Sequence, residues 1–174
     1  MTHDVDQPHD DADWNWGVRH ETTTARLDRN WEDLLQELRV AQTGVQLLTG
    51  LLLTVPFQAR FDRLEQQEIV VYLVTVGFAL LASGLLISPV VLHRVLFRQH
   101  ARRTLVSAGQ RFALAGFATL GFAVVGVCAL IFDVVLGVVA GVIAAVVAFV
   151  VFALLWAVGP ALLRRRATAA EEEA

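Results

Sequence analysis

Apolar residues dominate four long stretches of the chain, at about residues 40–58, 69–92, 112–132 and 134–159. Each stretch approaches or exceeds the roughly 20 residues that an α-helix needs to cross about 30 Å of hydrocarbon. The second and fourth stretches contain no charged residue, whereas the first also carries amides and threonines. This pattern predicts an all-α membrane protein, with four transmembrane helices in a domain over residues 40–160.

A different pattern precedes the first span. Leu27, Trp31, Leu34 and Leu38 recur at spacings of four, three and four, which places them on one face of a helix. The opposite surface mixes acidic residues with arginines, whereas helices that lie on anionic lipid usually have a basic polar face. We therefore expect a cytoplasmic amphipathic helix over residues 24–39, continuous with span one and packed against protein.

The two tails, residues 1–23 and 161–174, lack apolar periodicity. His3, His9 and His20, with neighbouring carboxylates, raise the possibility of a loose metal site in the first tail. Low hydrophobicity and clustered charge favour a solvated, disordered segment instead. We expect no bound metal and no cofactor.

Arginine placement predicts the orientation. Twelve of the 14 basic residues lie before span one, between spans two and three or after span four, and only Arg60 and Arg63 lie on the other side. Because arginines concentrate in cytoplasmic loops, both termini are expected in the cytoplasm. The net charge of −3 argues against a nucleic-acid partner, which needs a concentrated basic face.

Span one contains polar residues at membrane depth that can be interpreted in two ways: Gln42, Gln46, Thr49 and Thr54. They could line a polar path, or they could form interhelical hydrogen bonds, for example with Ser83 of span two and Thr119 of span three. Transport usually also requires an ionisable group at the same depth, and the spans contain none near their middle. Interhelical hydrogen bonding is therefore the favoured interpretation.

Asp133 and two glycines mark the turn between spans three and four. Asp133 is the sole carboxylate between Glu68 and Glu171, so it is a candidate cation ligand. Its place between two long spans favours an N-cap for the helix that follows. Gly137 and Gly141 form a G-x-x-x-G step, which predicts close helix packing and only weakly indicates dimerisation.

The loop between spans two and three forms a basic ridge, defined by Arg94, Arg98, Arg102 and Arg103. Such a ridge can bind anionic lipid headgroups or an acidic partner, although arginines here also serve as the orientation signal. The sequence has no Ser-His-Asp set, metal-ligand cluster or glycine-rich phosphate loop. Without convergent polar groups, we expect the protein not to be an enzyme.

Two segments carry a family resemblance: "WEDLLQELRVAQTGVQLLTGLLLTVPFQARFDRL" and "PVVLHRVLFRQHARRTLVSAGQRFALAG". Over about residues 28–160, the chain resembles an uncharacterised family of small inner-membrane proteins, mainly actinobacterial, labelled as a domain of unknown function. The resemblance implies four spans and a membrane location. Members are sometimes named sodium/proton antiporters, but this chain lacks the buried carboxylate that such exchange ordinarily requires.

Together these observations predict a non-enzymatic membrane protein that forms homo-oligomers within membrane lipid. Its basic cytoplasmic face would bind anionic lipid or a partner. The alternative is a small ion or solute conductor, in which span one of several copies lines a glutamine- and threonine-rich path.

Overall fold

The computed structural model describes residues 23–96, 102–159 and 161, and in this part of the chain every long element is a helix. Helix α1 is Thr23–Thr54, α2 is Gln66–Leu96, α3 is Arg102–Leu136 and α4 is Val138–Ala153. The predicted all-α class is confirmed. The predicted tails lie outside the described residues, except for Thr23 and Ala161 at their inner ends.

All four helices are long and apolar enough to cross a membrane. The candidate spans are Arg29–Phe57, Gln66–Arg94, Val106–Leu136 and Val138–Trp156, with mean hydropathies of 1.4, 2.4, 2.4 and 3.1. The amphipathic segment and span one form a single continuous helix, α1, as predicted. The protein is therefore a multi-pass membrane protein of four helices.

Proline and a capping carboxylate define the connection between α1 and α2. A 3₁₀ turn, Val55–Phe57, contains Pro56 and ends the first span, and a second 3₁₀ turn follows at Phe61–Arg63. Glu68 Oε2 then accepts a hydrogen bond of 2.7 Å from the backbone N–H of Glu65. This bond satisfies one of the backbone donors that the first turn of any helix leaves unpaired.

The break between spans three and four lies four residues later than predicted. Asp133 remains inside α3, and its carbonyl accepts a 2.7 Å hydrogen bond from the N–H of Gly137. The N-cap position of α4 belongs to Gly137, which has φ 91° and ψ 169° and makes no side-chain cap. Only glycine adopts this conformation without strain, so the turn forms there. The interpretation of Asp133 as an N-cap is therefore wrong.

The chain forms two compact units, and α1, α2 and α3 each contribute one segment to both. The first unit, Met1–Leu47 with Ala82–Phe117, contains a core of Trp31 and Val106. The second unit is Leu48–Leu81 with Ala118–Ala174. Its core consists of Leu52, Tyr72, Ala79, Ala123 and Leu130.

Helix α4 is apolar on all sides and buries little of its surface. Among its residues only Gly141 is buried, whereas Val139 is 75% exposed and Ile143 58% exposed. A helix that is hydrophobic all round belongs in an apolar environment. The exposed surface of α4 is therefore suited to lipid or to another membrane helix.

Candidate functional site

The buried face of α1 divides the polar residues of span one into two groups. Buried and half-buried positions recur at spacings of four and three along the helix: Trp31, Leu35, Leu38, Gln42, Val45, Thr49 and Leu52. Gln42 and Thr49 belong to this inward stripe, whereas Gln46 and Thr54 are exposed. The four residues predicted as one polar stripe therefore lie on different faces of α1.

Gln42 ties α1 to α2 beside a proline. Its Nε2 donates a 2.7 Å hydrogen bond to the carbonyl of Leu86, three residues before the fully buried Pro89. Proline has no N–H, so the carbonyl of Leu85, four residues before it, loses its helical donor and the turn is weakened. In a membrane such turns persist where a neighbouring helix supplies polar partners. We interpret Gln42 as such a partner: it bonds the carbonyl of Leu86, next to the Leu85 carbonyl that lacks its donor.

Replacing Gln42 with leucine is expected to lower the free energy of unfolding by about 1 kcal/mol. The change removes a donor next to the Pro89 turn but keeps a side chain of similar size. The thermal unfolding midpoint of the detergent-solubilised protein is the measurement. Gln46→Leu, compared in monomeric protein, is the matched control, because the Gln46 amide makes no hydrogen bond to another helix of the chain. An equal loss of stability in both variants would refute the proposed contribution of the Gln42 bond.

Tyr72 supplies a donor beside Pro56, the proline of the 3₁₀ turn that follows α1. Its hydroxyl donates a 2.9 Å hydrogen bond to the carbonyl of Leu52, four residues before Pro56. This carbonyl has no helical N–H donor, because residue 56 is proline. Phe61 packs edge-on against the Tyr72 ring at 5.5 Å between centroids, and only 3% of Tyr72 is exposed. Tyr72 therefore stabilises the end of span one.

Tyr72→Phe is expected to cost about 1–2 kcal/mol of unfolding free energy, since a buried carbonyl loses its donor while the ring stays in place. Thermal unfolding of the purified variant measures the loss. Thr54→Val is the control: Thr54 is exposed and donates only to Leu51, within its own helix. An unchanged midpoint in Tyr72→Phe would show that the bond is dispensable.

Thr75 lies at a close contact between α2 and α3 in the second unit. The side chain is 1% exposed, and its Oγ1 donates a 2.7 Å hydrogen bond to the carbonyl of Val71. Gly126 of α3 faces it so closely that a Cβ there would overlap Thr75 Oγ1 and lie 3.1 Å from Thr75 Cβ and Cγ2. The absence of a side chain at residue 126 thus lets α2 and α3 approach here.

Gln46 is the exception among the four residues of the predicted polar stripe, Gln42, Gln46, Thr49 and Thr54. Its amide is exposed, and it has no hydrogen-bond partner within the described part of the chain. It lies about 10 Å along the helix axis from Arg39, well inside the apolar segment. Its exposed neighbours behave differently, because Thr43 donates to the Arg39 carbonyl at 3.0 Å and Thr54 to that of Leu51 at 2.7 Å.

Gly137 and Gly141 both serve the α3–α4 hairpin. Gly137 supplies the positive φ of the turn. A Cβ at Gly141 would lie 2.8 Å from Asp133 Cβ and 2.9 Å from the carbonyl oxygen of Ala129, so α4 packs there directly on α3. Asp133 is half-buried in this contact.

Basic residues lie at the facing ends of α2 and α3. Arg94 is exposed in the last turns of α2, and Arg102 and Arg103 occupy the first turn of α3. Arg98 lies outside the described residues. A separate cleft of about 160 Å³ in the second unit is lined by Arg60, Arg63, Leu64, Glu68 and Val134.

A tryptophan–histidine stack was not foreseen from the sequence. Trp31 of α1 stacks on His93 of α2 with ring centroids 5.4 Å apart and planes 15° apart. A Cβ at Gly109 of α3 would lie 2.7 Å from Trp31 Cζ3, so the indole fills a space that the glycine leaves open. The Leu27–Leu38 periodicity placed Trp31 on an apolar face, but nothing in it indicated His93 as the neighbour.

Comparison with known protein families identifies a match over most of the chain. The model of a family of unknown function, DUF6328, matches residues 20–160, which include all four helices. No curated protein and no solved structure matches the chain. The resemblance to an uncharacterised family, inferred from the two segments of spans one to three, is confirmed. The chain therefore belongs to the DUF6328 family of unknown function.

Proposed function

We propose that this protein is a non-enzymatic module of the bacterial inner membrane that assembles with copies of itself. Gln46 carries the proposal. A side-chain amide in hydrocarbon finds no water to bond, and within the described part of the chain Gln46 has no other partner. An amide in this position is stabilised when another protein chain covers it.

Three other polar residues of the spans support a structural role. Gln42 and Tyr72 bind carbonyls of neighbouring helices beside the two prolines, and Thr75 binds within its own helix. Within residues 23–96 and 102–159, no three His, Cys, Asp or Glu side chains come together to hold a metal ion. These bonds stabilise helix packing and do not converge on a substrate-sized space.

We also propose that the basic ridge faces the cytoplasm and binds anionic lipid. Arg102 and Arg103 begin α3, where the helix dipole already carries partial positive charge. Two arginines at that end are unfavourable unless an anion lies nearby. The phosphate of a lipid headgroup at the membrane surface would offset both charges.

Lipid retention tests this part. Protein extracted into nanodiscs that contain phosphatidylglycerol should keep that lipid in native mass spectra. Joint replacement of Arg98, Arg102 and Arg103 by glutamine is expected to reduce the retained lipid several-fold. Joint replacement of Arg60 and Arg63 by glutamine removes almost as much charge and should have no such effect. Equal lipid retention in the two variants would refute the proposed lipid site.

Gln46 also favours a second candidate, a small conductor. If several copies form a ring with α1 at the centre, Gln46 would line a path rather than seal an interface. Cation flux into liposomes separates the two functions. The structural module should show no flux above protein-free liposomes. Flux that is present in the wild type and lost in Gln46→Leu would favour the conductor instead.

A further inference from the structure

We infer that one exposed face of α1 is the surface through which two copies bind, with the Gln46 amides of the two chains hydrogen-bonded to each other. The α1 seam is defined by Thr43, Gln46, Gly50 and Leu53. This inference rests on the proposed self-assembly and specifies its surface.

The spacing of the α1 seam is that of a helix-pairing face. Its members recur at intervals of three, four and three, as the a and d positions of paired helices do. All four are exposed in the chain, with Leu53 48% exposed. The seam therefore remains available after the chain has formed its own helix packing.

Gly50 lets a second helix come close at the centre of the seam. Nothing lies within 4 Å of the position that a Cβ would occupy at Gly50, so the chain itself does not use the space. Small residues at such positions allow membrane helices to approach until side chains on either side make contact. Gln46, one turn away, is then within reach of the facing helix.

A second copy of the chain can supply both the donor and the acceptor that the Gln46 amide needs. Every copy inserts in the same orientation, so the α1 helices of neighbouring copies are parallel and equal positions lie at equal depth. An amide has both a donor and an acceptor, and two glutamines facing each other across a two-fold axis can exchange hydrogen bonds. The seam is self-complementary in this sense.

The other exposed surfaces of α1 and α4 lack this combination. Leu47 and Leu51, on a neighbouring side of α1, are 66% and 60% exposed, and as aliphatic side chains they are satisfied by lipid. The exposed residues of α4 are likewise apolar, valines with Ile143 and Phe149, and no amide is among them. On the α1 seam, lipid would leave the Gln46 amide without a hydrogen-bond partner. We therefore assign a protein partner to this surface.

Cysteine cross-linking tests the surface. Cys128 is the sole cysteine and is first replaced in Cys128→Ser. Leu53→Cys and Leu51→Cys are then compared in membranes treated with a membrane-permeant oxidant. The two positions differ by only about 3 Å in depth but by about 160° around the helix. Leu53→Cys is expected to form disulfide-linked dimers and Leu51→Cys to remain monomeric; equal linking of both, or linking of Leu51→Cys alone, overturns the inference.

Variants of Gln46 provide a second measurement. Gln46→Leu is expected to weaken self-association about tenfold in a detergent dilution series, whereas Gln46→Asn, which keeps an amide, should retain most of it. If particles contain several copies but Leu53→Cys does not cross-link, the α1 seam is wrong and self-assembly stands. If the particles contain a single copy, both the seam and the proposed self-assembly fail.

Discussion

Replacing Trp31 with alanine is expected to lower the free energy of unfolding by about 3–5 kcal/mol, the usual cost of emptying a site filled by a buried large aromatic side chain. Trp31 is 7% exposed and packs with Val106, Leu34, Leu35 and Leu92. Its indole also fills the gap left by Gly109 and stacks on His93. The first unit would lose the side chain around which its three helix segments pack.

Thermal unfolding of the solubilised variant measures this loss, and two controls define it. Val40→Ala removes an aliphatic side chain that is 76% exposed, so its midpoint should change little. Trp31→Phe should recover part of the loss, because Trp31 Nε1 has no hydrogen-bond partner in the described residues and only ring volume is at stake. A midpoint in Trp31→Ala equal to that of Val40→Ala would contradict the assignment of this core.

Adding one methyl group in Gly126→Ala is expected to destabilise the second unit by about 3 kcal/mol, the upper end of the usual cost of overpacking. The new Cβ would overlap Thr75 Oγ1, which cannot easily turn away because it is bonded to the Val71 carbonyl. Either that bond breaks or α2 and α3 separate. Both outcomes should appear as a lower unfolding midpoint.

Companion variants identify the cause of that loss. Thr75→Ala, combined with Gly126→Ala, removes Oγ1 and Cγ2 and leaves one contact near 3.1 Å, which a small helix shift can relieve. The double variant should therefore be more stable than Gly126→Ala alone. Gly77→Ala is the control, since nothing lies within 4 Å of a Cβ there and alanine favours helix. A lack of rescue would show that the clash is not with Thr75.

The membrane architecture could be predicted because it depends on the length and hydropathy of each segment, which the sequence displays directly. The Asp133 turn could not be located in the same way. Asp133 is the single charged residue in a long apolar stretch, so the break between spans three and four was predicted there. The backbone instead turns at Gly137, because a positive φ costs least at glycine, and a carboxyl group can remain within a helix.

The candidate site was predictable only in part. Gln42, Gln46, Thr49 and Thr54 were recognised as one group, but the phase of the buried face decides which of them point inward, and α1 follows a spacing close to 3.5 residues. From the sequence alone, Pro56 and Pro89 each imply one backbone carbonyl that lacks its helical hydrogen-bond donor. The donors that serve these turns, Tyr72 and Gln42, come from another helix, and helix pairing is invisible in a single sequence.

The copy number of the membrane-extracted particle tests the central claim most directly. Native mass spectrometry of wild-type protein from nanodiscs is expected to show more than one copy in a particle. Gln46→Leu under the same conditions should shift the population toward single copies, while Gln42→Leu, which alters a bond inside the chain, should leave the copy number unchanged. A wild-type particle that contains one copy would contradict the account, because the Gln46 amide would then meet lipid alone.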